Sequence, residues 1–247
     1  DPFEPTVTAE ESRVLAKAMD VAETNRMQAL RMLEAQKNRD ASPALDFAAG
    51  NLHFQAGRLP EAAAAYRAAL EKMPKFRSAV VKLGRVYLQQ ERTQAAIDVY
   101  RQLVADGQAD ADTLMILGHA LLMEDAPVSA ESAYRQCLLL DPRRPEAMRG
   151  LAKALLRQER YAEGLSLVTE VLQQNPDNRE LWRLRSQAEL STSRHEAAVR
   201  SLEQARRLGC ADSDMLATLG DLHLNADRPH QALSAYREAF KGDDPSL

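Results

Sequence analysis

The sequence predicts an all-α solenoid of antiparallel helix hairpins, and three observations predict it. The first is composition: of 247 residues 45% are hydrophobic and only 5% aromatic, and the abundance of Ala, Leu, Gln, Arg and Glu favours helix over strand. The second is a period. Gly50, Gly84 and Gly118 are evenly spaced, and the same interval continues onto the small residues Ala152, Ser186 and Gly220. The third is that other landmarks keep this phase. Ala62, Ala96, Ala130, Gly164, Ala198 and Ala232 follow each small residue, and Tyr66, Tyr100, Tyr134, Val168, Leu202 and Tyr236 follow those.

The elements can be justified in chain order. Residues 1–8, with Pro2 and Pro5, are expected to be extended. Thr8 and Glu11 have the spacing of a capping box, which starts a helix. Residues 9–42 read as a degenerate hairpin that caps the N-terminal end, with Leu15–Ala16 and Met32 in phase with the array. Six units follow without insertion: 43–76, 77–110, 111–144, 145–178, 179–212 and 213–246. In each, a small residue midway along helix A lets helix B approach, and bulky residues fill the space between. Pro74, Pro142 and Pro176 end three B helices because proline lacks an N–H and restricts the residue before it. Gly107 and Gly209 take that role elsewhere as C-caps. Unit 4 has Gly164 for alanine. Unit 5 has Arg185 and Ser186 where Leu-Gly is usual, and Glu189 where the aromatic sits, so these two units are expected to pack differently. Two proline-free boundaries, 107–118 and 209–220, parallel each other at an interval of three units, through duplication of a three-unit block or through shared cap chemistry. The last unit leaves an apolar edge around Leu233 and Tyr236, which predicts a homodimer unless a partner or further sequence covers it.

Several function classes are disfavoured. A net charge of -4 and a pI near 5.8 offer no concentrated basic face for nucleic acid. No apolar run reaches the ~18 residues of a membrane span. Cys137 and Cys210 form no CxxC, and stacking separates them beyond disulfide reach; Cys137 is expected to be buried, and Cys210, in a turn, exposed. His53 and His223 sit at core positions, His195 and His230 near turns, and no zinc spacing occurs. No nucleophile elbow or phosphate loop is present. The expectation is a non-enzyme with no cofactor and no metal.

The Leu-Gly, Ala, aromatic, Pro spacing resembles the tetratricopeptide repeat. The resemblance implies a right-handed superhelix whose concave groove, lined by helix A, binds protein. Carried onto this chain, the groove residues are Phe47, Asn51, Val81, Arg85, Met115, His119, Arg149, Lys153 and Arg183: apolar in the first three units, basic around Arg85, Arg149, Lys153 and Arg183. A peptide or helix with apolar anchors and some acidic residues is the expected partner. In-register Phe54, Leu88, Leu122, Leu156, Leu190 and Leu224 are expected mostly to tuck against a neighbouring helix. The residue set of carboxylate-clamp members is met only at Asn51. Stretches such as Leu45–Gln55, Phe76–Gln89 and Ala205–Gly209 are similar to bacterial repeat proteins that accompany TonB–ExbB–ExbD systems. That likeness implies an exported, periplasmic scaffold, for which a chain beginning at Asp1 is read as processed; a cytosolic co-chaperone or adaptor is the alternative.

Overall fold

The computed structural model describes residues 2–36, 38 and 40–243. Among the described residues there are fourteen helices and no strand. They are α1 (Ala9–Ala22), α2 (Arg26–Glu34), α3 (Pro43–Gln55), α4 (Leu59–Lys72), α5 (Arg77–Gln89), α6 (Thr93–Ala105) and α7 (Ala111–Met123), followed by α8 (Pro127–Leu140), α9 (Pro145–Arg157), α10 (Tyr161–Gln174), α11 (Arg179–Ser191), α12 (His195–Arg207), α13 (Ser213–Asn225) and α14 (Pro229–Asp243). The chain is an all-α helical repeat solenoid. It divides into two compact units, Asp1–Ala126 and Pro127–Leu247. Within each, every helix packs against the next in sequence, and in the second unit α9 also touches α11.

The packing rule is a match of volumes between helix A and helix B. Tyr66 and Tyr100 are fully buried. A Cβ placed on Gly50 would lie 2.6 Å from the Tyr66 ring, one on Gly84 2.5 Å from the Tyr100 ring, and one on Gly220 2.5 Å from the Tyr236 ring. These are far inside van der Waals contact, so only hydrogen fits there. Where the partner shrinks, the glycine is replaced: Val168 is paired in phase with Ala152, and Leu202 with Ser186, all of them buried. Gly164 gives its space to Leu156, whose Cδ2 would be 2.5 Å from an added Cβ. In unit 5 the helix A aromatic is replaced by Glu189. It is only 5% exposed, but accepts a hydrogen bond of 2.6 Å from Ser201 Oγ and one of 3.1 Å from Arg185 Nε.

The turns from helix A to helix B share one geometry. Gly57, Glu91, Asp125, Glu159, Ser193 and Asp227 all have positive φ, between 52° and 71°, at the position just past the C-cap. In the second of these turns the N–H of Arg92 reaches the Tyr87 carbonyl and that of Glu91 the Leu88 carbonyl, the paired bonds of a Schellman motif. Only one of the six positions is glycine, so repeated tertiary packing holds the other five in a region costly for residues with a Cβ.

The two proline-free boundaries close in the same way. Gly107 and Gly209 both have φ of +68°. Asp110 and Asp212 then cap α7 and α13, accepting from Thr113 N and Met215 N. An arginine spans each joint: Arg77 Nε donates to Gln108 O and Arg179 Nε to Cys210 O, both at 2.9 Å. Cys210 is buried, against the expectation of exposure. It occupies the position after the αL glycine, where a Schellman motif folds a side chain back onto the last helical turn. Its thiol contacts Ala205 O at 3.4 Å, and burial raises its pKa. The equivalent residue at the first boundary is Gln108. It is 6% exposed, and neither polar atom of its side chain has a hydrogen-bond partner among the described residues. Gln108→Met should therefore raise stability by about 1–2 kcal/mol in urea unfolding, by removing an unsatisfied buried amide. A loss of stability would mean that the amide is satisfied in solution.

At the N-terminal end, Thr8 and Glu11 form the expected capping box. Glu11 also accepts from Ser42 N at 2.7 Å. That bond and those from Thr8 hold its carboxyl below the usual range. The helical pattern breaks at residues 23–25, and α1, α2 and α3 share a core of Ala18, Ala29, Leu30, Leu33, Leu45 and Ala49. Lys72 Nζ lies 2.8 Å from Asp46 and donates to Asn38 O and Ala41 O, each at 3.1 Å.

Candidate functional site: the helix A faces

The A helices carry the residues expected to line a groove, and their side chains have distinct environments. In the first compact unit, Phe47 is half-buried. Its ring lies 5.7 Å from that of Tyr66 and 4.9 Å from that of Phe76, so it braces α3 against α4 and the start of α5. Asn51 accepts the Tyr66 hydroxyl at 2.8 Å, and Asp221 accepts the Tyr236 hydroxyl at 2.6 Å from the same unit position. Arg85 holds that position in the repeat 77–110 and has no acceptor to offer. The Tyr100 hydroxyl turns instead to the Val81 carbonyl at 3.3 Å. Val81 and Met115 are half-buried, while Arg85 and His119 are exposed. This face is thus apolar below and cationic only at its rim.

In the second compact unit the charges are paired. Lys153 bonds Glu180 on the next A helix, and Arg149 Nη1 stands 3.5 Å from the same carboxylate. The bond from Lys153 lowers the Glu180 pKa against the opposing effect of burial. Arg183 bonds Asp212. Burial raises the Asp212 pKa, but the Met215 N–H and Arg183 outweigh it and hold the carboxyl low. The expectation of a bare basic stretch did not include these two carboxylates. They sit at the start of the following helix A, and the nearly constant offset between partners, a little under one unit, is the signal that could have found them.

Between α9 and α11 lies a cleft of about 440 Å³, lined among others by Lys153, Arg157, Tyr161, Glu180, Arg183 and Leu184. Leu156 also borders it while filling the gap at Gly164. Of the in-phase apolar residues, Leu122 is buried and Phe54, Leu88, Leu156 and Leu190 are half-buried; Leu224 is 56% exposed. Among the described residues no cluster of His, Cys, Asp and Glu could hold a metal, and no helix is long and apolar enough to cross a membrane. His195 and His230 are exposed; His223 is buried, with Nε2 3.2 Å from Glu203.

Known proteins share this architecture. No curated protein matches the chain in sequence. A solved tetratricopeptide repeat protein from Parabacteroides merdae is 17% identical, covering 95% of this chain and 94% of its own, with a TM-score of 0.65. YrrB, described as a repeat protein with an unusual peptide-binding site, is 22% identical over 68% of this chain and 86% of its own, with a TM-score of 0.64. A MamA structure is 19% identical over 67% and 91%, also with a TM-score of 0.64. At these identities the neighbours speak for the fold. Tetratricopeptide-repeat family models match residues 47–112, 81–145 and 121–188, together more than half of the chain. With that coverage, and helix pairs returning at the same interval beyond it toward the C-terminus, the chain belongs to the tetratricopeptide-repeat family.

Proposed function

We propose that the chain is a non-catalytic protein–protein interaction scaffold, and that the α9–α11 cleft receives a partner segment combining apolar side chains with a few carboxylates. The observation that supports this reading is the cleft itself, where Lys153, Arg157 and Arg183 accompany one carboxylate, Glu180, beside Tyr161 and Leu184. Its ion pairs are exposed enough to exchange partners, because surface pairs are worth little. An incoming carboxylate can bind Lys153 or Arg183 while apolar groups cover Leu184. The YrrB description of a peptide-binding site supports the same use of the fold.

Peptides selected from a random library on the wild-type chain should be rich in Asp, Glu, Leu and Phe. Lys153→Glu with Arg183→Glu should weaken them by about tenfold or more, with the helical circular dichroism unchanged. Unaltered affinity would place binding elsewhere. The likeness to TonB-associated repeat proteins supports a periplasmic partner in an envelope transport complex; fractionation of the native host to the cytosol would favour the adaptor reading. Self-association is a second reading, favoured by Leu224, Leu233 and Phe240, which are 56%, 48% and 72% exposed. A single monomeric species in sedimentation at high concentration would remove it.

A further inference from the structure

The N-terminal segment does more than lead into α1. Residues 2–7 have no helix or strand of their own, yet they are seated at three points on the edge formed by the starts of α3 and α5. The Phe3 carbonyl accepts the Arg77 N–H at 3.1 Å. The Glu4 carboxylate accepts the Ser78 hydroxyl at 2.6 Å. The Thr6 carbonyl accepts the Ser42 hydroxyl at 2.9 Å. Phe3, Glu4 and Pro5 are half-buried there.

On the α5 side of this edge the helix start is met by an outside segment. The N-cap of α5 is Phe76, which is 1% exposed and makes no side-chain cap, and the first turn of α5 contains no acidic residue. A helix start leaves N–H groups without intrahelical partners. Among the described residues six helices supply the acceptor from their own N-cap side chain, as Asp110 and Asp212 do, while α4, α6, α9, α10 and α12 share with α5 the lack of one. For α5 the acceptor comes from the far N-terminal end of the chain, and a carboxylate arrives with it at the end that favours negative charge. Residues 2–4 form a turn and a bend rather than the extended run expected for residues 1–8, and the rings of Pro2 and Pro5 restrict the backbone there, which reduces the ordering cost of docking.

We propose that this edge is a docking site for a proline-bracketed aromatic-acidic segment, occupied in cis by residues 2–7, so that a partner segment of the same chemistry binds only by displacing them. The recognition register is a backbone carbonyl, the carboxylate of the next residue, and the carbonyl two residues further on. Hydrogen bonds at these points hold the segment, without a ladder or a helix to reinforce them. It can therefore leave without unfolding α1, whose capping box begins at Thr8. The site is separate from the α9–α11 cleft, and its test does not depend on that one.

The probe is a labelled synthetic peptide of residues 1–7, titrated onto the full chain. Glu4→Ala in the protein weakens the cis segment but leaves the site intact, so the peptide should bind this variant about tenfold or more tightly than the wild type, whose competent state is mostly self-occupied. Adding Ser78→Ala should abolish that gain, because the peptide's own Glu4 then lacks its donor. All three proteins should keep the same circular dichroism, and the Arg77 amide should exchange hydrogen faster in Glu4→Ala without peptide. Equal affinity of wild type and Glu4→Ala, binding to neither, or undiminished protection of the Arg77 amide would overturn the proposal. Lys153→Glu with Arg183→Glu should leave this titration unchanged.

Discussion

Tyr100→Ala should destabilise the chain by about 3–5 kcal/mol, the usual cost of emptying a buried aromatic site. Tyr100 is fully buried and its ring covers Gly84. Burial pushes its hydroxyl pKa up to about 12, so the phenol stays neutral and keeps its bond to the Val81 carbonyl. The companion substitution gives the sharper test. Gly84→Ala in the wild type forces a methyl into the ring and should cost about 1–3 kcal/mol. In the Tyr100→Ala background the ring is gone, and the same substitution should become neutral or stabilise by up to about 1 kcal/mol, since alanine is the better helix former. Urea unfolding followed by circular dichroism gives the four corners of the cycle. Simple additivity would show that the close approach of Gly84 to Tyr100 does not exist in solution.

Lys72→Met carries the second large effect. Asp46 is 3% exposed, and its carboxylate faces the ammonium of Lys72, which also satisfies the carbonyls of Asn38 and Ala41. Removing one partner of a buried pair leaves the other charged and short of compensation. Lys72 is 22% exposed at its side chain, so water relieves part of the loss. The expected cost is about 3 kcal/mol, the low end for such a pair. Lys72→Met with Asp46→Asn should recover about half of it. The loss should be concentrated where α2, α3 and α4 meet, read as faster amide exchange there. A cost below about 0.5 kcal/mol, the ordinary scale for a surface substitution, would show that the pair is surface-like.

The helices and their order were legible because each unit repeats the same steric problem. A bulky side chain on helix B must meet a small one on helix A, and the chain records the solution once in every unit. The glycines at 107 and 209 were legible as caps because αL backbone and the absence of a Cβ go together. The positive-φ turns at Glu91, Asp125, Glu159, Ser193 and Asp227 were not, because packing rather than residue type holds them. Cys210 was misjudged for a related reason: a residue in a turn is exposed by default, but the position after an αL glycine folds back onto its helix. The groove positions were legible as a register on helix A and illegible as an electrostatic surface. Glu180 and Asp212 belong to the next helix A, and only the repeat offset brings them beside Lys153, Arg149 and Arg183. The docking of residues 2–7 left no mark in any local pattern, since the donors it meets are backbone and hydroxyl groups that helix starts commonly possess.

The two arginine-spanned boundaries differ in kind from those closed by proline. A ring in the backbone fixes a joint by covalent geometry and is indifferent to the surrounding electrolyte. At residues 105–111 and 207–213 the joint is held partly by a guanidinium reaching across it, with Arg77 on Gln108 O and Asp110, and Arg179 on Cys210 O beside the Arg183–Asp212 pair. Charges at a surface are screened over about 10 Å at 0.1 M salt. Ionic strength therefore acts on the stiffness of these two joints, where no proline ring fixes the backbone, more than on the boundary at Pro176, where the Lys153–Glu180 pair works beside one.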